Sequence, residues 1–171
     1  CDAKEPLSEN RDAEIESPVI ANDLSNQKVT AIAEDTQGHI WIGTFRGLNK
    51  NSVHDYHQYF CTDDSLGLPD NQITHLLRDS KNRFWVGTVN GVCLYTDKDN
   101  FRIIPIEADN KNVRQILEDR NGRIFFNTGF QLYAYHPREE KITCVLPGIS
   151  LGNTSYAQCH IALDNNLWVM T

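Results

Sequence analysis

From Val29 onward, apolar and polar residues alternate with a period of two in short runs bounded by Asp, Asn and Gly, the signature of β-strands rather than helices. Val29, Ala31 and Ala33 alternate with Thr30, Ile32 and Glu34, predicting a first strand, a, innermost in its unit. Asp35-Thr36-Gln37-Gly38 follows. A carboxylate that accepts nearby backbone N–H groups, with a Gly that takes positive φ, predicts a hairpin turn. Strand b is predicted over 39–44, with Ile40 and Ile42 on one face and Trp41 and Gly43 on the other. Both faces are apolar, so both are expected to be covered. Strand c opens at Gly47, and strand d, the outer edge, is predicted over 54–60. No 3.6-residue apolar stripe is sustained anywhere, so no helix is predicted.

The run over residues 32–44 returns over 76–88 and 116–128, with a weaker fourth copy over 167–171. Asp35 and Asp79 lie 44 residues apart and Asp79 and Asp119 40 apart, the length of one four-stranded propeller blade. Asn82 takes the place of the turn glycines Gly38 and Gly122; Asn is the residue that next best tolerates the left-handed region. A sheet with two apolar faces is satisfied when stacked between two similar sheets, as around a propeller axis. The expected fold is therefore all-β: a partial β-propeller of about three and a half four-stranded antiparallel blades. An acidic, aperiodic arm over 1–17 precedes an incomplete propeller over 18–171, with blades near 27–62, 71–107 and 111–147 and a half blade near 155–171. In the fourth copy strand a is placed over 157–163, and Asp164-Asn165-Asn166 reads as a shorter turn. Recurrence marks Trp41, Trp85 and Trp168 as core residues and Asp35, Gly38, Asp79, Asp119 and Gly122 as turn residues. The glycines two positions after the first two tryptophans, Gly43 and Gly87, leave room for a neighbouring side chain. An unfinished propeller exposes an apolar face and a ladder edge. The expectation is either a piece of a longer propeller or self-association through the open blade edges.

The 40% hydrophobic and 23% charged composition of the 171 residues is ordinary for a globular protein. A net charge of −7, from 16 basic and 23 acidic residues, lacks the positive excess that nucleic-acid backbones reward, and no nucleic-acid partner is expected. No run of 18 apolar residues exists to form a membrane-spanning helix, and no signal h-region is present. The five cysteines are odd in number and widely spaced, writing neither a metal motif nor a compact disulfide framework. Cys61, Cys93, Cys144 and Cys159 read as buried or free thiols. Cys1 fits a terminus left by removal of an export signal, with or without lipid, and equally an arbitrary boundary. His54 and His57 are three apart on a predicted strand, which sends them to opposite faces and opposes joint metal ligation. No Gly-x-Ser-x-Gly, phosphate loop or paired zinc cysteines occur, so no catalytic residue, metal or cofactor is assigned.

The string over 22–48, with Gly67-Leu68-Pro69-Asp70-Asn71-Gln72-Ile73 before the second repeat, resembles the two-component regulator propeller repeat. The resemblance runs from about Val19 to Thr171. In that family the repeats form the periplasmic sensor of hybrid two-component systems of saccharolytic gut bacteria. Two seven-bladed propellers are followed there by a smaller β-domain, a membrane helix, a histidine kinase and a response regulator. The resemblance implies a non-enzymatic sensor fragment in the periplasm, the exported part of an inner-membrane protein. It would contribute to oligosaccharide sensing and signal to a kinase absent from this chain, with the rest of the sensor chain as a partner and no cofactor. Ile124-Phe125-Phe126-Asn127-Thr128 and Met170 depart from the family's Trp-x-Gly-Thr.

In an antiparallel blade the b-to-c and d-to-a loops emerge on one face, where propellers commonly bind ligands. The candidate ligand-binding residues are Phe45, Arg46, Val89, Asn90, Phe130 and Gln131 from the first set of loops, and Asp70, Asn71, Asn110 and Asn112 from the connectors. Arg46 offers a planar donor fork, the amides offer paired donors and acceptors, and Phe45 or Phe130 can stack on a sugar. Two alternatives stand beside the sensor. One is an interaction scaffold that binds protein, including another copy of itself. The other is a polysaccharide-active enzyme of propeller fold, for which Arg46 and His75 are the groups to test.

Overall fold

The structure is a computed structural model that describes residues 23–52, 55–62, 66–96, 98–108, 110–146 and 158–170. Cys1, the acidic arm, His54, residues 63–65 and 155–157, and Thr171 lie outside the described residues. Strands β1 (Val29–Glu34), β2 (Ile40–Thr44), β3 (Gly47–Asn51) and β4 (Tyr56–Tyr59) form an antiparallel sheet in chain order. A second sheet orders β5 (Ile73–Arg78), β6 (Phe84–Thr88), β7 (Gly91–Thr96) and β8 (Asn100–Ile104) in the same way. A third orders β9 (Gln115–Glu118), β10 (Ile124–Asn127), β11 (Leu132–His136) and β12 (Lys141–Leu146). β13 (Gln158–Ile161) pairs with β14 (Leu167–Met170). The a-strands β1, β5, β9 and β13 touch one another in series, which stacks the sheets as successive blades.

Each of the first three a-to-b turns is built around one aspartate that does more than shape the hairpin. Asp35 Oδ1 accepts the N–H groups of Gln37 and His39, while Oδ2 meets His39 Nδ1 at 2.8 Å and accepts the Trp41 indole N–H at 2.9 Å. Burial opposes ionisation of Asp35, but these partners outweigh it and hold its pKa below the ordinary carboxylate value. Asp79 repeats the arrangement with Lys81 and Arg83 N–H groups, Arg83 Nε at 2.6 Å and Trp85 Nε1 at 2.8 Å. Asp119 keeps the first three contacts and lacks the indole, because Phe125 stands in the tryptophan position. The position before the +4 residue is left-handed throughout: φ is +80° at Gly38, +63° at Asn82 and +76° at Gly122.

The fourth turn is not shorter than the others. Ala162 N–H donates to Asn166 O at 2.9 Å, as Asp35 N–H does to His39 O at 3.0 Å. Asn165, at φ +66°, fills the place of Gly38. Ala162 therefore occupies the aspartate position, 43 residues after Asp119, and Asp164 instead accepts from Asn166 within the turn. Asp164, two positions further on, is therefore not the counterpart of Asp35.

Packing between blades is directional. Trp41, fully buried, leans from the first blade onto Phe84 and Tyr95 of the second, with ring centroids 4.7 and 4.8 Å away, in a cluster with Leu76 and Val86. Trp85, also fully buried, leans in the same way onto Phe126 and Tyr135 of the third. Phe125 continues the series onto Cys159, Leu167 and Val169. Trp168 departs from the expected core position: it is 63% exposed, because no further sheet stands beside it among the described residues. The opposite end corrects the expectation that both faces of the first blade are covered. Ile32 is 66% and Ile40 38% exposed, whereas their counterparts Leu76 and Phe84 are buried by the Trp41 side of the preceding blade.

Gly43 faces this packing without a side chain. A Cβ built there would lie 2.5 Å from Ile73 Cγ2 and 3.0 Å from Ile73 Cβ, closer than packed carbons approach. Gly43→Ala is expected to lower stability by about 1–3 kcal/mol through overpacking. An unchanged denaturant midpoint would contradict the close approach of β5.

Candidate functional site

The b-to-c turns are fixed from below by three buried threonines. Thr44 Oγ1 donates to Gly47 O at 2.8 Å and accepts the Arg46 N–H at 3.1 Å. Thr88 does the same with Gly91 O and Asn90 N–H. Thr128 makes both bonds with the backbone of Gln131. These residues were not singled out from sequence, although Thr recurs at the close of every full copy of the phrase. Backbone bonds then tie the first two b-to-c turns to segments entering an a-strand: Phe45 N–H to Lys28 O at 3.0 Å, Gly47 N–H to Asn71 O at 2.7 Å and Val89 N–H to Gln72 O at 3.1 Å. Both loop sets thus lie on one face, as the strand directions require.

The candidate side chains on this face divide in two. Asp70 Oδ1 accepts the Gln72 N–H, Asn71 Oδ1 the Cys61 N–H, Asn110 Oδ1 the Asn112 N–H and Gln131 Oε1 the Tyr133 hydroxyl. Those four hold the loops in shape. Asn112 is half-buried, and its Oδ1 is buried with no hydrogen-bond partner among the described residues. Phe45, Arg46, Asn90 and Phe130 are exposed, with Lys28 Nζ 4.0 Å from the Phe45 ring centroid, and Val89 is half-buried. Phe130 and Gln131 border a cleft with Leu146, Cys159 and Val169 of only about 10 Å³, too small for a sugar ring. The predicted residues therefore form an open, polar and aromatic surface.

His75 is half-buried in β5, and burial pushes its pKa below the ordinary imidazole value. Cys61 and Cys144 are exposed and Cys93 and Cys159 buried, all four as free thiols. Burial raises the thiol pKa of Cys93 and Cys159, which favours the protonated form of both.

The family model described as two component regulator propeller matches residues 23–46 and 67–90. Two segments of the chain are therefore similar to the two-component regulator propeller repeat. Each matched repeat runs through strands a and b and ends on the first two b-to-c turn residues, Phe45 and Arg46 or Val89 and Asn90. The repeat thus contains both the aspartate-centred scaffold and the entry to the loop face.

The fold is shared with solved structures. The extracellular domain of the hybrid two component system BT4673 from Bacteroides thetaiotaomicron matches with a TM-score of 0.75 at 23% identity, over 90% of this chain and 20% of that one. That of BT3049 from the same organism matches with a TM-score of 0.67 at 20% identity, over 85% of this chain and 21% of that one. Virginiamycin B lyase from Staphylococcus aureus matches with a TM-score of 0.64 at 21% identity, over 85% of this chain and 50% of the lyase. The chain thus spans about a fifth of the two-component extracellular domains it resembles. No curated protein matches it in sequence.

Proposed function

We propose that this chain is a non-enzymatic part of a hybrid two-component regulator. In this reading it sits in the periplasm as the exported portion of an inner-membrane protein. There it contributes to recognition of an oligosaccharide and biases a histidine kinase carried elsewhere in the parent protein. The propeller repeats carry the reading, because they match in phrase and in spacing. The fold alone does not discriminate, since sensor domains and a lyase share it. The exposed set Phe45, Arg46, Asn90 and Phe130 supports saccharide binding: two rings for stacking, a guanidinium fork and an amide for hydroxyls.

The rest of the sensor chain is the proposed cover for the Ile32 and Trp168 faces. At the first two junctions a tryptophan face meets an aliphatic–aromatic face, so another blade of the same design fits either end.

Titration calorimetry of the complete ectodomain against a panel of oligosaccharides tests the binding. A bound saccharide whose affinity falls at least about tenfold, about 1.4 kcal/mol, in Arg46→Ala combined with Phe130→Ala is the expected result. Absence of binding to every member, or binding indifferent to both substitutions, would overturn the reading.

A further inference from the structure

At the opposite end of the blades, where the a-to-b and c-to-d turns gather, a hollow of about 440 Å³ opens between the second and third blades. Lys81 comes from the a-to-b turn of the second blade, Arg120 and Arg123 from that of the third, and Arg138 from the third blade's c-to-d turn. Glu139 is the one carboxylate on its wall among the described residues. Three of these cations, Lys81, Arg120 and Arg138, lie beside this one wall carboxylate with no ion pair of their own among the described residues.

Of these cations Arg123 is paired, with the buried Asp119 carboxylate. The Asp164 carboxylate feels Arg120 only through space. The Glu118 carboxylate accepts the Ser80 N–H at 2.7 Å and the Ser80 hydroxyl at 2.6 Å. His136 is engaged through Nε2 with Thr143 Oγ1.

Arg123 is held ready in addition. Its Nε donates to the buried Asp119 carboxylate at 2.6 Å, and its guanidinium carbon lies 5.4 Å from the Phe125 ring centroid. One edge of the fork is thereby fixed, and the terminal amino groups of this 40% exposed side chain carry no hydrogen bond among the described residues. A guanidinium immobilised in this way binds an oxyanion without first losing rotamer freedom. Concave walls also focus the field of unpaired cations.

We propose that this hollow is a second binding site, distinct from the loop face, for a small anionic ligand carrying carboxylate, sulfate or phosphate groups. Its volume falls in the range of small-molecule sites. Two or more oxyanion groups on one ligand would engage Arg123 together with Lys81, Arg120 or Arg138 from separate turns, and would bridge the second and third blades.

The test is calorimetry of the full chain at low salt with citrate, inorganic sulfate and glucose as probes. The wild type is compared with a Lys81→Gln, Arg120→Gln, Arg138→Gln variant that leaves the Asp119–Arg123 pair intact. Citrate is expected to bind, glucose not to bind, and the triple variant to lose at least about tenfold in affinity with its thermal midpoint kept. Sulfate bound more tightly than citrate, and lost in the variant, would also support the site and assign it to a free inorganic anion. Failure of both anions to bind, or equal binding by the variant, would overturn it. Arg46→Ala with Phe130→Ala should leave citrate binding unchanged, so failure at the loop face and failure here are distinguishable.

Discussion

Trp85→Ala should lower the stability of the folded chain by about 3–5 kcal/mol, the range for removing a large aromatic side chain from a packed core. Trp85 is fully buried, packs its ring against Phe126 and Tyr135 of the next blade, and donates its indole N–H to Asp79. The truncation leaves a cavity at the blade interface and removes one bond from a buried carboxylate. With an m-value of about 2 kcal/mol/M, the urea midpoint should fall by roughly 2 M. Trp85→Phe should cost markedly less, because Phe125 fills the same place beside Asp119 in the third blade and remains buried. A midpoint for the alanine variant within 0.3 M or so of wild type would refute the packing described.

Asp79→Ala is expected to be nearly as damaging, at about 3 kcal/mol, for a different reason. The side chain is buried and accepts from two backbone N–H groups, the Arg83 guanidinium and the Trp85 indole. Removing one carboxylate orphans several donors at once, among them a buried indole N–H and the half-buried Arg83 guanidinium. Asp35→Ala should cost less, since its turn is more exposed and its side-chain partner is an imidazole rather than a guanidinium. Combining Trp85→Phe with Asp79→Ala should give a loss smaller than the sum of the two, as expected for groups that share a hydrogen bond. Strict additivity in that cycle would show the indole–carboxylate bond to be energetically silent.

Local punctuation made most of the fold legible before any coordinates. Asp, Gly and Asn at fixed offsets mark the hairpins, because each supplies a backbone geometry or an acceptor that its neighbours need, and period-two runs supply the strands between. The reading weakened wherever an outcome depended on something distant. Trp168 carries the same local signal as Trp41, but burial is decided by what stands on the other side of the sheet. Asp164 drew the fourth turn out of register because an aspartate was expected there, while the backbone bonds place Ala162 at that position. Of the loop candidates, Asp70, Asn71, Asn110 and Gln131 have side chains committed to shaping the loops, a use that composition does not distinguish from ligand binding. The cationic hollow was invisible in the sequence. Its members come from turns separated by a whole repeat, and the overall acidity of the chain masks them.

The order of contact between blades has a geometric consequence. Every junction joins a plug carrying Trp41, Trp85 or Phe125 to a socket on the next sheet, lined in the second blade by Leu76, Phe84 and Val86, and the two sides of a junction are never alike. A twofold axis would bring plug to plug or socket to socket, so the usual symmetric dimer cannot satisfy these faces. Any open array of such sheets, whatever its number, ends in one plug and one socket. It can close on itself as a ring, accept another array head to tail, or grow without limit, and it has no other way to hide its ends.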